Sequence, residues 1–263
     1  ALILNTHTTN IFVKEKNLNL ELSEVTSLPV IHSDGCHVNW GVQSSKECLY
    51  GDLTSDKTMV LFGDSHAAQW FPALEKIAID EGFALISFTK SACPAVEVDR
   101  VNSGASKNSV CNAWRANSIK RIKELNPEVV IMSSFQHFSY PQRYSSRDAW
   151  WFEGQRSLYT KVLNSAPKLI YISDTPKPQR DIPSCLATAK ADECDANEKS
   201  DPRVAGGFVS LDPTPWLCPD SCPAIVDQDV NAGVFASGWK NVVVVIIFWL
   251  TDDFVNSATC LSI

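Results

Sequence analysis

From Lys57 onward, apolar residues gather into short runs separated by stretches with helical spacing. Thr58-Met59-Val60-Leu61-Phe62 is apolar at almost every position and stops at Gly63, the pattern of a strand covered on both faces. Ala67 to Glu81 carries Trp70, Leu74, Ile77 and Ala78 at helical spacing, and Gly82 stands where a C-cap belongs. Pro72 either falls in the first two turns of that helix or marks a kink. Phe83 to Phe88 reads as a second strand, Glu128 to Met132 as a third and Lys168 to Ile172 as a fourth. Helices are expected over Trp114–Leu125, closed by Asn126-Pro127, and over Leu158–Asn164. Gly207–Leu211 and Val242–Phe248 are candidates for further strands. Strands alternating with helices predict an α/β fold with a mostly parallel sheet.

Residues 1–30 are polar and β-branched without a clear period and read as a lead-in segment. Residues 31–263 show no internal repeat and no linker, so they are taken as a single domain. A chain of 263 residues with 44% hydrophobic content can bury a full core. Its net charge of −7 leaves no electrostatic footprint for nucleic acid. The longest apolar run, Val242 to Leu250, falls well short of the roughly 20 residues that span a bilayer. No signal peptide stands at Ala1, so the chain is expected to be mature or cut from something longer.

The nine cysteines change the picture more than the charge does. Cys36 with Cys48, Cys93 with Cys111, Cys185 with Cys194 and Cys218 with Cys222 lie close in sequence, and Cys260 is left over. Short loops close easily, whereas a structural zinc site would want C-x-x-C pairs, and none occurs. Disulfides are the favoured reading, with no metal site, and they imply an oxidising compartment.

In an open parallel sheet, ligands bind at the carboxyl ends of the strands. Gly63-Asp64-Ser65-His66, Lys90 to Pro94, Ser133 to His137 and Asp174-Thr175-Pro176 all fall there. Gly63-Asp64-Ser65-His66 joins a buried strand to a helix, so backbone N–H groups and the helix dipole would favour an oxyanion formed at Ser65. The same four residues also fit a plain helix N-cap.

Asp56 to Leu74 closely resembles the start of the SGNH hydrolase-like domain found at the C-terminus of bacterial membrane acyltransferases of the acyltransferase-three family. The likeness continues through Asp34-Gly35-Cys36, Lys90-Ser91-Ala92-Cys93-Pro94, Cys111-Asn112-Ala113-Trp114-Arg115, Asp174-Thr175-Pro176, Ile182-Pro183-Ser184-Cys185 and Asp212-Pro213-Thr214-Pro215-Trp216-Leu217-Cys218 with Cys222-Pro223-Ala224. It covers about residues 31–226 and implies an SGNH, flavodoxin-like, three-layer sandwich. It implies further that Ser65 is the nucleophile and that its own N–H is one oxyanion donor. A second donor would come from Ser91 or Ala92, where the family has a glycine, and a third from Gln136, where it has an asparagine. The substrate class implied is an acylated glycan or small ester, with no cofactor. A membrane acyltransferase domain would be the partner, and the location periplasmic or extracellular.

The chain departs from the family where the histidine base should be. Asp-x-x-His is replaced by the apolar stretch Ile246 to Trp249, and no histidine follows His137. His137, after the third strand, is the substitute base the sequence offers. His66 would begin the helix and point elsewhere, and His32 and His37 read as structural residues. Two functions therefore stand side by side. One is a serine esterase or O-acyltransferase acting on O-acetyl groups of cell-surface polysaccharide. The other is a catalytically impaired glycan-binding or accessory domain with the same fold. Trp150-Trp151 and Trp216 could stack on a sugar, although core packing is the commoner use of tryptophan.

Overall fold

The computed structural model describes residues 28–176, 185, 189–190, 193–195, 204–214, 225–226 and 229–230. Its centre is a seven-stranded, mostly parallel sheet. Strand β3 (Thr58–Gly63) lies in the middle, between β4 (Ala84–Lys90) and β5 (Val129–Ser133). Beyond β5 come β6 (Lys168–Ile172) and β7 (Val209–Leu211), all parallel. On the other side, β4 pairs in parallel with β1 (His37–Val38) and antiparallel with β2 (Leu49–Gly51). The five main strands thus run 4-3-5-6-7, the flavodoxin-like order, with a switch point between β3 and β5. A separate antiparallel pair joins β8 (Ile225–Val226) to β9 (Asp229–Val230).

Alternation along β3 shows why the sequence had to be apolar throughout. Met59 and Leu61 enter one hydrophobic cluster with Leu74 and Ile77 of helix α3 (Phe71–Glu81), which follows helices α1 (Val30–Ser33) and α2 (Ser65–Ala68). Val60 and Phe62 enter a second cluster on the opposite face. That cluster takes Trp114, Ile119 and Ile122 from α4 (Gly104–Leu125) and Trp150, Trp151, Leu158 and Val162 from α5 (Arg147–Val162). Helices cover both faces, which makes the three-layer sandwich that the sequence implied. Among the described residues no helix is long and apolar enough to cross a membrane.

The element boundaries differ from expectation in instructive places. The expected helix over 67–81 is two helices, α2 and α3, with the chain turning at Gln69-Trp70 and Pro72 inside the first turn of α3. Helix α4 starts ten residues before Trp114, in a polar stretch whose exposed side chains give no hydrophobic period. Helix α5 starts at Arg147 rather than Leu158, capped by the Ser146 hydroxyl, which accepts from Ala149 N at 3.1 Å. The short strands β1, just inside the Cys36–Cys48 loop, and β2, just after it, carry too few residues for a periodic signal. Disulfides join Cys36–Cys48, Cys93–Cys111 and Cys185–Cys194. The expected pair Cys218–Cys222, Cys260, Trp216 and the strand Val242–Phe248 lie outside the described residues, as does the stretch Ile246 to Trp249.

Candidate active site

The switch point is built on one close backbone approach. Strand β3 ends at Gly63, and a Cβ placed there would meet the Ser133 carbonyl oxygen at 2.0 Å and the Ala67 methyl at 2.8 Å. Only glycine lets the ends of β3 and β5 come this near. The next residue, Asp64, is fully buried and caps α2, its Oδ1 accepting from His66 N at 2.9 Å. Both Asp64 oxygens also accept from Phe135 N, at 3.2 and 3.1 Å. The cap reading of Asp64 is therefore right as far as it goes, but the carboxylate also clamps the loop after β5 to the turn after β3. Burial pushes the Asp64 carboxyl up to about 6, against the opposing pull of His66.

Ser65 follows on this clamp and is half-buried. Its hydroxyl makes no hydrogen bond to any described residue, and its backbone N–H is likewise uncommitted. Its neighbour Asp64, by contrast, has both carboxylate oxygens engaged. Helix α2 is a single turn, too short for a sizeable dipole, so local N–H donors carry the electrostatics here.

The structure separates the two residues proposed for the second donor. Ser91 N donates to Val38 O at 2.9 Å, and its hydroxyl meets His37 Nε2 at 3.1 Å. Ser91 is thereby committed to strand β1. Ala92 N has no partner among the described residues, and Ala92 adopts φ +48°, a left-handed backbone more typical of glycine. Burial holds the His37 ring down at about 3, with His32 and Lys90 adding to the effect, so this imidazole is neutral at ordinary pH. Gln136 stands half-buried after β5 and donates its backbone N–H to Asp174 Oδ2 at 2.9 Å.

The histidines meet partners that the sequence did not name. His66 points away from Ser65 and inward: its Nδ1 lies 2.5 Å from Asp174 Oδ1, and both residues are buried. Asp174 also accepts from Thr175 N at 2.9 Å. With the Asp174 oxygens accepting backbone N–H groups as well, His66 Nδ1 is the donor, and Nε2 has no partner among the described residues. Burial alone would depress the His66 imidazole, but Asp174 and then Asp64 outweigh it and hold it above its ordinary 6.5. His137, the substitute base suggested by the sequence, faces Arg147 Nη1 across 3.3 Å through its Nδ1. An arginine can only donate, so that lone pair is occupied. No hydrogen bond joins His137 to Ser65.

Sequence reasoning missed the His66–Asp174 pair, whose members are 108 residues apart. The available signal was that both lie at strand carboxyl ends. Trp150 and Trp151 are each 2% exposed, so they are core and not a sugar platform. Asn112 and Arg115 organise the loop after Cys93: Arg115 Nε donates to Pro94 O at 3.1 Å and Asn112 Nδ2 to Asp99 Oδ1 at 2.9 Å. Among the described residues no group of three or more His, Cys, Asp or Glu side chains is placed to hold a metal ion.

Comparison with known proteins supplies the family. No curated protein sequence matches the chain. Among solved structures, the periplasmic domain of a lipopolysaccharide acetyltransferase from Salmonella ser. Paratyphi A is similar, with 17% identity and a TM-score of 0.48 over 76% of this chain and 77% of that one. The family model for the SGNH domain fused to AT3 domains matches residues 35–235, about three quarters of the sequence. The chain belongs to the family of SGNH domains fused to AT3 domains.

Proposed function

We propose that this domain is an extracytoplasmic serine O-acyl esterase or O-acyltransferase that works on O-acetyl groups of cell-surface polysaccharide. The observation that carries the proposal is the state of Ser65. The residue is half-buried at the switch point, its hydroxyl is unpaired among the described residues, and its own N–H and that of Ala92, in the loop after the neighbouring strand β4, are both uncommitted. Ser65 Oγ attacks the ester carbonyl, and the oxygen that gains charge is received by those two donors. The tetrahedral adduct collapses, the acyl carbon–oxygen bond to the leaving alcohol breaks, and the alcohol departs with a proton. Water or a sugar hydroxyl then takes the acyl group from Ser65. Family membership supports a membrane acyltransferase domain as partner, and the three disulfides support an oxidising compartment.

A second reading is favoured by one specific observation. No imidazole among the described residues hydrogen-bonds Ser65, since His37, His66 and His137 face Ser91, Asp174 and Arg147. A serine without a base is a weak nucleophile, and an accessory, glycan-positioning domain would look like this. Labelling with a fluorophosphonate, which modifies activated serines, followed by peptide mapping separates the two. Modification at Ser65 supports the enzyme. A protein that stays unlabelled at Ser65 under conditions that label a known serine esterase is the accessory domain.

A further inference from the structure

Beside the Ser65 turn lies an open cleft of about 330 Å³, lined by Trp40, Arg100, Lys107, His137 and Phe138 among others. Three aromatic contacts connect it to the site. The His66 ring lies 4.9 Å from Phe135, Phe135 lies 4.9 Å from Phe138, and Phe138 lies 5.2 Å from the Arg100 guanidinium. The cleft and the serine thus share the segment that follows β5.

Arg100 is the unusual group. It is 6% exposed, its Nε is buried with no hydrogen-bond partner, and its guanidinium donates to no described residue. An arginine has five N–H donors, and a buried donor left without an acceptor, as Arg100 Nε is, is unfavourable until something pairs with it. Partial compensation comes from two rings, Trp40 at 4.9 Å and Phe138 at 5.2 Å. Those contacts fix the planar group in place without satisfying its donors. Lys107 adds a second cation 5.0 Å from the Trp40 ring. Lys90 donates to Trp40 O at 2.9 Å, which fixes the backbone that carries the indole. Among the described residues no carboxylate lines the cleft. The charge of Asp64 reaches Arg100 from the buried turn, while the cleft wall itself presents two cations, Arg100 and Lys107, in a chain of net charge −7.

We propose that the cleft is an anion-recognition subsite, which takes a carboxylate or phosphate group carried by the glycan substrate while the ester to be cleaved lies at Ser65. The match is chemical: a rigid guanidinium pairs bidentately with planar carboxylate or with phosphate oxygens, and Lys107 supplies the second charge. The substrate class named here rests on the glycan-acting reading above. The anion preference of the cleft rests only on its own residues.

The test is equilibrium binding to the resting full chain, with glucuronate, glucose 1-phosphate and glucose as probes. Both anionic sugars are expected to bind at least about tenfold more tightly than glucose, and the tighter of the two assigns the anion as carboxylate or phosphate. Lys107→Glu, an exposed position, should weaken the anionic probes about tenfold or more and leave glucose unchanged. Arg100→Gln should do the same, and Lys107→Glu decides the matter if that buried change unfolds the protein. Equal affinity for glucose and the anionic sugars, or anionic binding untouched by Lys107→Glu, would overturn the proposal. No turnover is involved, so failure here leaves the serine-esterase reading standing, and an inert Ser65 leaves the cleft reading standing.

Discussion

His66 and Asp64 sit one residue either side of Ser65, and both titrate where it matters. The folded-state imidazole of His66 is held above 6.5 by Asp174 and Asp64. Its contribution to stability is therefore complete below about pH 6.5 and is lost as pH rises through the folded value. The melting temperature of the wild type should exceed that of His66→Gln by more at pH 6 than at pH 9. A gap that is constant or widens with pH would show that the ion pair with Asp174 is not what the side chain contributes. Asp64, pushed up to about 6 by burial, acts in the same direction, since a carboxyl raised in the fold favours the folded state at lower pH. At this scale the sequence was partly legible. Gly63-Asp64-Ser65-His66 announced the turn, but a histidine that reaches an aspartate 108 residues away leaves no local trace. The choice of Ala92 over Ser91 was also hidden, because it depends on a backbone bond to β1.

Strand ends and loops carry the next level of cause. The approach of β3 to β5 at Gly63 leaves no room for a methyl group, with the Ser133 carbonyl 2.0 Å from where it would stand. Gly63→Ala should cost about 3 kcal/mol or more in chemical denaturation, because backbone must move on both strands. A cost below about 1 kcal/mol would mean the strand ends can part freely. The Cys93–Cys111 bridge, with a sequence separation of 18, closes a loop that contains Arg100 and begins one residue after Ala92. Replacing both cysteines by alanine should destabilise the fold by about 3 kcal/mol, measurable as a fall in denaturation midpoint. Central strands were readable because β3, β5 and β6 are buried on both faces and so are apolar without interruption. The first turns of α4 were not, because they are held by a disulfide and by the Asn108 side chain on Arg100 backbone atoms rather than by an apolar stripe.

Across the whole molecule, the two apolar clusters on opposite faces of the sheet hold the strand ends rigid, and chemistry is left to the loops above them. Fold class followed from the alternation of buried strands and helices. The cleft of Trp40, Arg100, Lys107 and His137 could not follow, since three separate segments converge to make it. Whether Ser65 reacts decides between the enzyme and the accessory domain. Hydrolysis of p-nitrophenyl acetate by the purified chain, measured beside Ser65→Ala, asks this directly. The account predicts that the wild type turns over the ester above background and that Ser65→Ala loses on the order of a thousandfold or more of that rate. Equal rates in the two proteins would contradict it.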